Sequence, residues 1–190
     1  MTSWVGRFFG LEEESDRVRH LAKVAALFMP LAAFAFMMST TFYSFYVAIT
    51  LVGTLPQNLP LGFALVGILA SISMGVQLVL DYPTGGIGDW IGQRWVLLVA
   101  FAGYTLTFTL TAISPWFPSF WFFIIIYVIQ AIASAFQSGA IAAWFDNNYR
   151  AAAQDPERKA YSVAQGRMGM LFQISSTAVL IPGAILATLF

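Results

Sequence analysis

The sequence contains no cysteine and only one histidine, His20. Without cysteine the chain forms no disulfide and no thiolate metal site, and a single histidine builds no metal cluster unless carboxylates help. Charged residues are also scarce, at 9% of the chain, whereas a soluble domain carries about 25%. We therefore expect no cofactor, no bound metal and no nucleic-acid partner.

Apolar residues are abundant instead. They make up 59% of the 190 residues, and the mean hydropathy is +0.76. A helix needs roughly 20 apolar residues to cross the hydrocarbon of a bilayer, and only a helix satisfies its own backbone there. The sequence thus predicts an all-α membrane protein with an amphipathic surface segment at 1–23 and a transmembrane bundle at 24–190. The five predicted spans are 24–52, 61–80, 95–113, 120–145 and 168–190.

The basic residues are distributed unevenly among the connections. The loops at 53–60 and 114–119 carry no charge, whereas all nine bases lie in the other connections. Because basic residues favour the cytoplasmic side, we predict a cytoplasmic amino terminus in a plasma (inner) membrane. These bases are Arg7, Arg17, Arg19, Lys23, Arg94, Arg150, Arg158, Lys159 and Arg167.

The stretch DYPTGGIGDWIGQR, residues 81–94, interrupts two apolar segments as a polar turn. It is not a dinucleotide fingerprint, because the pattern starting at Gly86 needs glycine where Ile91 stands, and no βαβ unit surrounds it. Gly85 and Gly88 remove side chains where helices approach closely. Gly92 permits a positive φ, with which the chain reverses into the third span.

This stretch resembles the signature turn between the second and third spans of the major facilitator superfamily of secondary transporters. The preceding Asp-x-Pro-Thr-Gly resembles a branch of that superfamily, and 138–149 and 165–167 are similar to the end of its fourth span and the entry to its fifth. Trp90 and Gln93 depart from the pattern, since the family usually has basic residues there. The matching positions are Gly85, Ile87, Gly88, Asp89, Gly92 and Arg94.

The resemblance implies transport of a small-molecule substrate by alternating access. It makes this chain five spans of the amino-terminal six-helix half of the transporter, so that it reads as truncated, with the sixth span and the carboxy-terminal half as missing partners. It also implies that a cytoplasmic latch is formed by Asp81, Gly85, Gly88, Asp89, Gly92 and Arg94. We expect Asp146 to join this latch by pairing with Arg94 or Arg167; the alternative is that these charges are solvated separately.

In that family the central cavity is lined by the first, second, fourth and fifth spans. Gln130, Ser134 and Gln137 lie on one helical face of the fourth span, as a cavity wall requires. The alternative for such residues is hydrogen bonding between helices of the bundle. The predicted cavity residues are Tyr43, Tyr46, Gln77, Gln130, Ser134, Gln137 and Gln173.

Catalysis is not expected, because no nucleophile, base and orienting group occur together in the sequence. Two other possibilities stand beside the transporter. The chain is a non-transporting membrane scaffold that retains the helical bundle, or it is one piece of a split transporter.

Overall fold

The computed structural model describes residues 4–12, 14–37, 40–153 and 159–187. These residues form helices and turns and contain no strand. The helices are α1 (Trp4–Phe9), α2 (Asp16–Met37), α3 (Thr40–Val52), α4 (Leu59–Ile91), α5 (Gln93–Ile113), α6 (Phe120–Gln137), α7 (Ala140–Arg150) and α8 (Lys159–Ala187). Single 3₁₀ turns at Pro56–Asn58 and Ser114–Trp116 precede α4 and follow α5.

The chain divides into two compact units. The first unit comprises Met1–Tyr43 and Phe145–Phe190 and contains α1, α2, α8 and the larger part of α7. The second unit, Ser44–Trp144, contains α4, α5, α6 and the larger part of α3.

Three helical stretches are long and apolar enough to cross a membrane: Pro56–Gly88, Gln93–Trp116 and Phe120–Arg150. They coincide with the predicted second, third and fourth spans. The first predicted span covers parts of α2 and α3 and includes residues 38–39, and the fifth ends in residues 188–190; both of these short stretches lie outside the described residues. The count of five spans and the cytoplasmic amino terminus stay predictions.

The predicted turn at 81–94 is helical over most of its length. Helix α4 continues through Pro83 and three glycines to Ile91, so the turn is reduced to Gly92 alone. Glycine and proline cost a helix interior about 1 and 3 kcal/mol, respectively. Thr84 and Gly88 are buried in this part of α4, so packing contributes to keeping it helical.

The predicted fourth span is interrupted, although the sequence predicts a continuous helix from 120 to 145. Helix α6 ends at Gln137, and Ser138 donates its backbone N–H to the Ser134 carbonyl at 2.8 Å. Gly139 then adopts a φ of 73°, a left-handed conformation, and α7 begins at Ala140. A positive φ does not continue a right-handed helix, so the break lies at this glycine.

Small residues bring the helices of the second unit together. A Cβ atom on Gly103 of α5 would lie 2.8 Å from the Cβ of Ala133 on α6, closer than van der Waals contact allows. Gly62 of α4 would meet the Cβ of Ala48 on α3 at 3.0 Å in the same way. Close backbone approach at small residues is the usual packing mode of helices in membranes.

In the first unit, α1 ends in a hydrogen-bonded glycine turn and docks on its neighbours. Leu11 donates its N–H to the Gly6 carbonyl at 2.8 Å, Gly10 donates to the Arg7 carbonyl at 3.2 Å, and Gly10 has a φ of 67°. This is the Schellman pattern of helix termination. It buries Phe9 and Leu11 completely, so the segment is attached to the unit through its apolar side.

Replacing Gly103 by alanine tests the close approach of α5 and α6. Overpacking a core costs about 1–3 kcal/mol, and the higher helix propensity of alanine returns up to about 1 kcal/mol. We expect Gly103→Ala to lower the midpoint of unfolding in a titration with sodium dodecyl sulfate.

The double variant Gly103→Ala with Ala133→Gly should recover most of the lost stability, because removing the methyl group of Ala133 makes room for the one added at position 103. Gly67→Ala is the matched control, because a Cβ at Gly67 meets nothing within 4 Å. A Gly103→Ala variant as stable as the Gly67→Ala variant would show that the two helices do not meet at this point.

Candidate functional site

Gly92 separates α4 from α5 and makes their junction a single residue. It has φ 87° and ψ 142°, donates its N–H to the Gly88 carbonyl at 3.0 Å, and accepts from the N–H of Trp95 at 3.1 Å. The positive φ predicted for this glycine is confirmed. Because only one residue is non-helical, the end of α4 and the start of α5 are joined without a flexible loop.

Thr84 ties this region of α4 to α6. Its hydroxyl lies 3.1 Å from the carbonyl oxygen of Ala135, in a buried contact, and also 2.9 and 3.2 Å from the Leu80 and Asp81 carbonyls of its own helix, so its one proton is shared among these acceptors. Because Ala135 lies in the last turn of α6, its carbonyl is one that a helix end leaves without an internal donor. Thr84 therefore supplies a hydrogen bond to α6 directly before the break at Ser138 and Gly139.

Gly88 is buried, and the side chain covering it is that of Gln93. A Cβ atom on Gly88 would lie 2.9 Å from Nε2 and 3.0 Å from Oε1 of Gln93. The neighbour at this glycine is thus a side-chain amide from the first turn of α5. Gln93 is also one of the two positions at which the sequence departs from the transporter signature.

Two of the predicted latch residues are described by their backbone alone. Gly85 and Asp89 lie within α4, while their surroundings fall outside what the structure describes. Asp81 and Arg94 are both exposed, near the end of α4 and at the start of α5. The contact predicted for Asp89 stays a prediction.

The remaining latch charges have partners that the sequence analysis did not predict. Asp146 forms an ion pair with Arg150, one turn further along α7, at 2.8 Å. Arg167 donates from Nη1 to the carbonyl oxygen of Arg7 at 3.0 Å and also to that of Phe8. Arg167 therefore caps the carboxyl end of α1, where carbonyl groups and the helix dipole favour a cation.

The predicted cavity residues are divided between the two units. Tyr43 and Gln173 belong to the first unit, and Gln173 is exposed on α8. The other five belong to the second unit, where each is half-buried: Tyr46, Gln77, Gln130, Ser134 and Gln137. A common cavity wall for all seven residues stays a prediction.

Three of these residues take part in hydrogen bonds between helices. Tyr46 donates its hydroxyl to the Thr111 carbonyl at 3.0 Å, at the end of α5. Tyr104 of α5 donates to Oε1 of Gln137 at 3.3 Å and is also hydrogen-bonded to the Ser134 side chain. Ser134, Gln137 and Tyr104 thus form a polar cluster between α5 and α6, within two turns of the end of α6.

The sequence analysis missed Thr84 and Tyr104 as site residues. Thr84 was quoted only as part of a motif, although a hydroxyl next to a proline in an apolar helix is a signal for a carbonyl partner. Tyr104 lies in α5, the predicted third span, which the cavity prediction did not consider. Gln93 was noted only as a departure from the family.

A groove is formed by residues of α4 and α6, and it adds no polar side chain to this cluster. It is open, has a volume of about 450 Å³, and is lined only by apolar side chains and one glycine. Its lining residues are Ile72, Gly75, Val76, Val79, Leu80 and Ile132. Among the described residues, no group of three His, Asp or Glu lies close enough to hold a metal ion.

Comparison of the chain with known proteins gave no match, whether with family models, curated proteins or solved structures.

Replacing Thr84 by valine keeps the shape of the side chain and removes its hydroxyl. Hydrogen bonds between membrane helices contribute about 0.6 kcal/mol on average and about 1.7 kcal/mol at most. We expect Thr84→Val to destabilise the protein by about 1 kcal/mol in the detergent titration, and Thr84→Ser to retain most of the stability.

Thr105→Val is the control for Thr84→Val. The Thr105 hydroxyl bonds to the Phe101 carbonyl of its own helix, at 2.8 Å, and is exposed. Equal losses in the two valine variants would show that the bond to Ala135 contributes nothing to stability.

Replacing Arg167 by glutamine should release α1. The bonds from Arg167 are partly exposed to solvent, so we expect a cost of about 1 kcal/mol. Amide hydrogen exchange at residues 6–11 should rise by roughly five-fold. Arg150→Gln, which removes an exposed cation from α7, should leave that exchange unchanged; a similar rise in both variants would point to general destabilisation.

Proposed function

We propose that this chain is part of a secondary transporter of the major facilitator type, which moves a small solute by alternating access and uses residues 81–94 as its cytoplasmic gate. The observation that carries the proposal is the bond from Thr84 to Ala135. It links the stretch that resembles the transporter signature to the point at which α6 is interrupted. A gate of this kind needs an element that has two arrangements, and we assign this role to the interrupted helix.

The broken helix supports a gate near one end of the predicted fourth span. Gly139 follows Phe120 by about 28 Å along a helix axis, so the break lies close to the far edge of the roughly 30 Å hydrocarbon and at the level of Thr84. Ser134 and Gln137, both half-buried, lie directly before the break at Ser138 and Gly139. Polar side chains and a freed helix end therefore occur together in this part of the chain.

The proposed gate residues act on an equilibrium between states. By their resemblance to the family signature, Asp89 and Arg94 hold one state, and Asp146 contributes from α7. In the structure Asp146 pairs with Arg150 one turn along the same helix, and the two side chains are 19% and 63% exposed, respectively. An exposed ion pair contributes about 0–1 kcal/mol, so a pair formed in one state only would bias the equilibrium without locking it.

A membrane scaffold without transport activity is the second candidate. It is favoured by the hydroxyl groups of Tyr46 and Tyr104, which bond to groups inside the second unit. Side chains used in this way stabilise a bundle. The two candidates differ in one respect that can be measured. In a transporter the predicted cavity residues are exposed to water, whereas in a scaffold they are not.

Reaction of single cysteines with a membrane-impermeant thiosulfonate distinguishes the two. The chain has no native cysteine, so each variant carries one reactive thiol. For the transporter we expect Gln77→Cys, Gln130→Cys and Gln137→Cys to react at least about ten-fold faster than lipid-facing positions, because a thiol in hydrocarbon stays protonated and unreactive.

The lipid-facing controls are Leu78→Cys and Ile125→Cys, whose native side chains are 76% and 53% exposed. Trp90, which is 87% exposed, reports the orientation. Trp90→Cys should react in inside-out vesicles and be protected in intact cells. If the three glutamine positions react as slowly as the controls, the scaffold is favoured; labelling of position 90 from outside would reverse the proposed orientation.

A further inference from the structure

Helix α2 carries an exposed face that is basic at one end and apolar along the rest. Arg17, His20 and Lys23 are exposed at its amino-terminal end. The exposed side chains that follow are apolar: Val24 (38%), Leu27 (67%), Leu31 (59%) and Phe34 (49%). At 100° per residue, all seven fall within about 120° of the helix circumference. We call these seven residues the α2 stripe.

The opposite face of α2 is used for packing within the first unit. Val18, Ala22 and Ala33 are fully buried, and α2 packs against α8. The α2 stripe is therefore the outer surface of a helix that is already docked. Exposed apolar residues in such a row, on a chain with candidate membrane spans, require an apolar partner.

We propose that the α2 stripe binds an anionic phospholipid, with the headgroup phosphate against the basic end and an acyl chain along the apolar residues. From Val24 to Phe34 the described apolar part of the stripe rises about 15 Å, which is long enough to lie along an acyl chain within one leaflet of the roughly 30 Å hydrocarbon. Arg17, His20 and Lys23 precede this apolar part by up to two turns, which places them at the level of the headgroups.

The charged side chains of the α2 stripe itself are basic. Three acids, Glu12, Glu13 and Glu14, precede the helix; Glu12 pairs with Arg7, and Glu14 accepts a hydrogen bond from the Tyr149 hydroxyl. Within the helix, residues 16–23 contain three bases, Arg17, Arg19 and Lys23, against one acid. The one acid, Asp16, forms its ion pair with Arg19. Arg17 and Lys23 are therefore the two bases of the α2 stripe, and they lie next to the start of its apolar part at Val24.

Quenching by brominated lipid tests this site directly. The chain is labelled with bimane at Leu27→Cys, in a sequence without native cysteine, and reconstituted in phosphatidylcholine. We then compare quenching by phosphatidylglycerol and by phosphatidylcholine that carry the same brominated acyl chains. Because one Lys or Arg near a membrane surface strengthens binding of an anionic lipid by roughly five-fold, we expect at least that preference for phosphatidylglycerol. Added salt should reduce it.

The variant Arg17→Gln with Lys23→Gln should bring the two lipids to within about two-fold of each other. Two controls make the result specific. Arg7→Gln with Arg150→Gln removes two exposed cations outside the stripe, and bimane at Ile132→Cys reports an apolar surface on α6. The first control should keep the preference at position 27, and the second label should show none.

Three results would overturn the proposal. One is equal quenching by the two lipids in the native chain. Another is the same loss of preference in the Arg7 and Arg150 control, which would indicate a general effect of net charge. The third is displacement of the brominated lipid by soluble glycerol phosphate, which lacks acyl chains and would show that the apolar part of the stripe is not used.

Discussion

Each peptide group that this chain carries into an apolar environment has to find its hydrogen-bond partner within the protein. The constraint explains why the described residues form long helices, and it extends to the side chains. Hydroxyl groups in the apolar helices bond back to a carbonyl one turn earlier, which satisfies them without another helix. Such bonds are made by Thr50, Ser71, Thr105, Thr107, Thr109 and Thr177, at 2.8–3.0 Å.

The same constraint makes the interruptions informative, because every helix end leaves carbonyl groups without an internal donor. In the second unit, glycines with positive φ end α3 at Gly53, α4 at Gly92 and α6 by Gly139. Side chains donate hydrogen bonds to the carbonyl groups left free at these ends: Asn58 donates to the carbonyl of Val52, and Thr84 to that of Ala135. In the first unit, Arg167 has this role at the end of α1. The polar residues near these helix ends are thus explained by their hydrogen bonds to free backbone carbonyl groups. Only polar residues without this role remain as candidates for a function.

The difference between local and long-range hydrogen bonds explains which features of the candidate site could be predicted from the sequence. The positive φ of Gly92 followed from local chemistry, because glycine is the residue that adopts it without strain. The partners of Asp146 and Arg167 did not follow, since a charge near a membrane surface has several cations or carbonyl groups within reach and sequence spacing does not rank them. Tyr104 was missed because its importance depends on Gln137, which lies 33 residues away on another helix.

The sequence by itself determined the helical class and the position of three apolar helices, because composition and run length are local properties and hydrocarbon admits few backbone conformations. It also located the junction at Gly92. Only the tertiary structure decided that residues 81–91 stay helical, that the predicted fourth span breaks at Gly139, and that Thr84 bonds to a carbonyl 51 residues away. The physical reason is that glycine and proline weaken a helix by a few kcal/mol at most, so contacts between distant residues determine whether the helix continues.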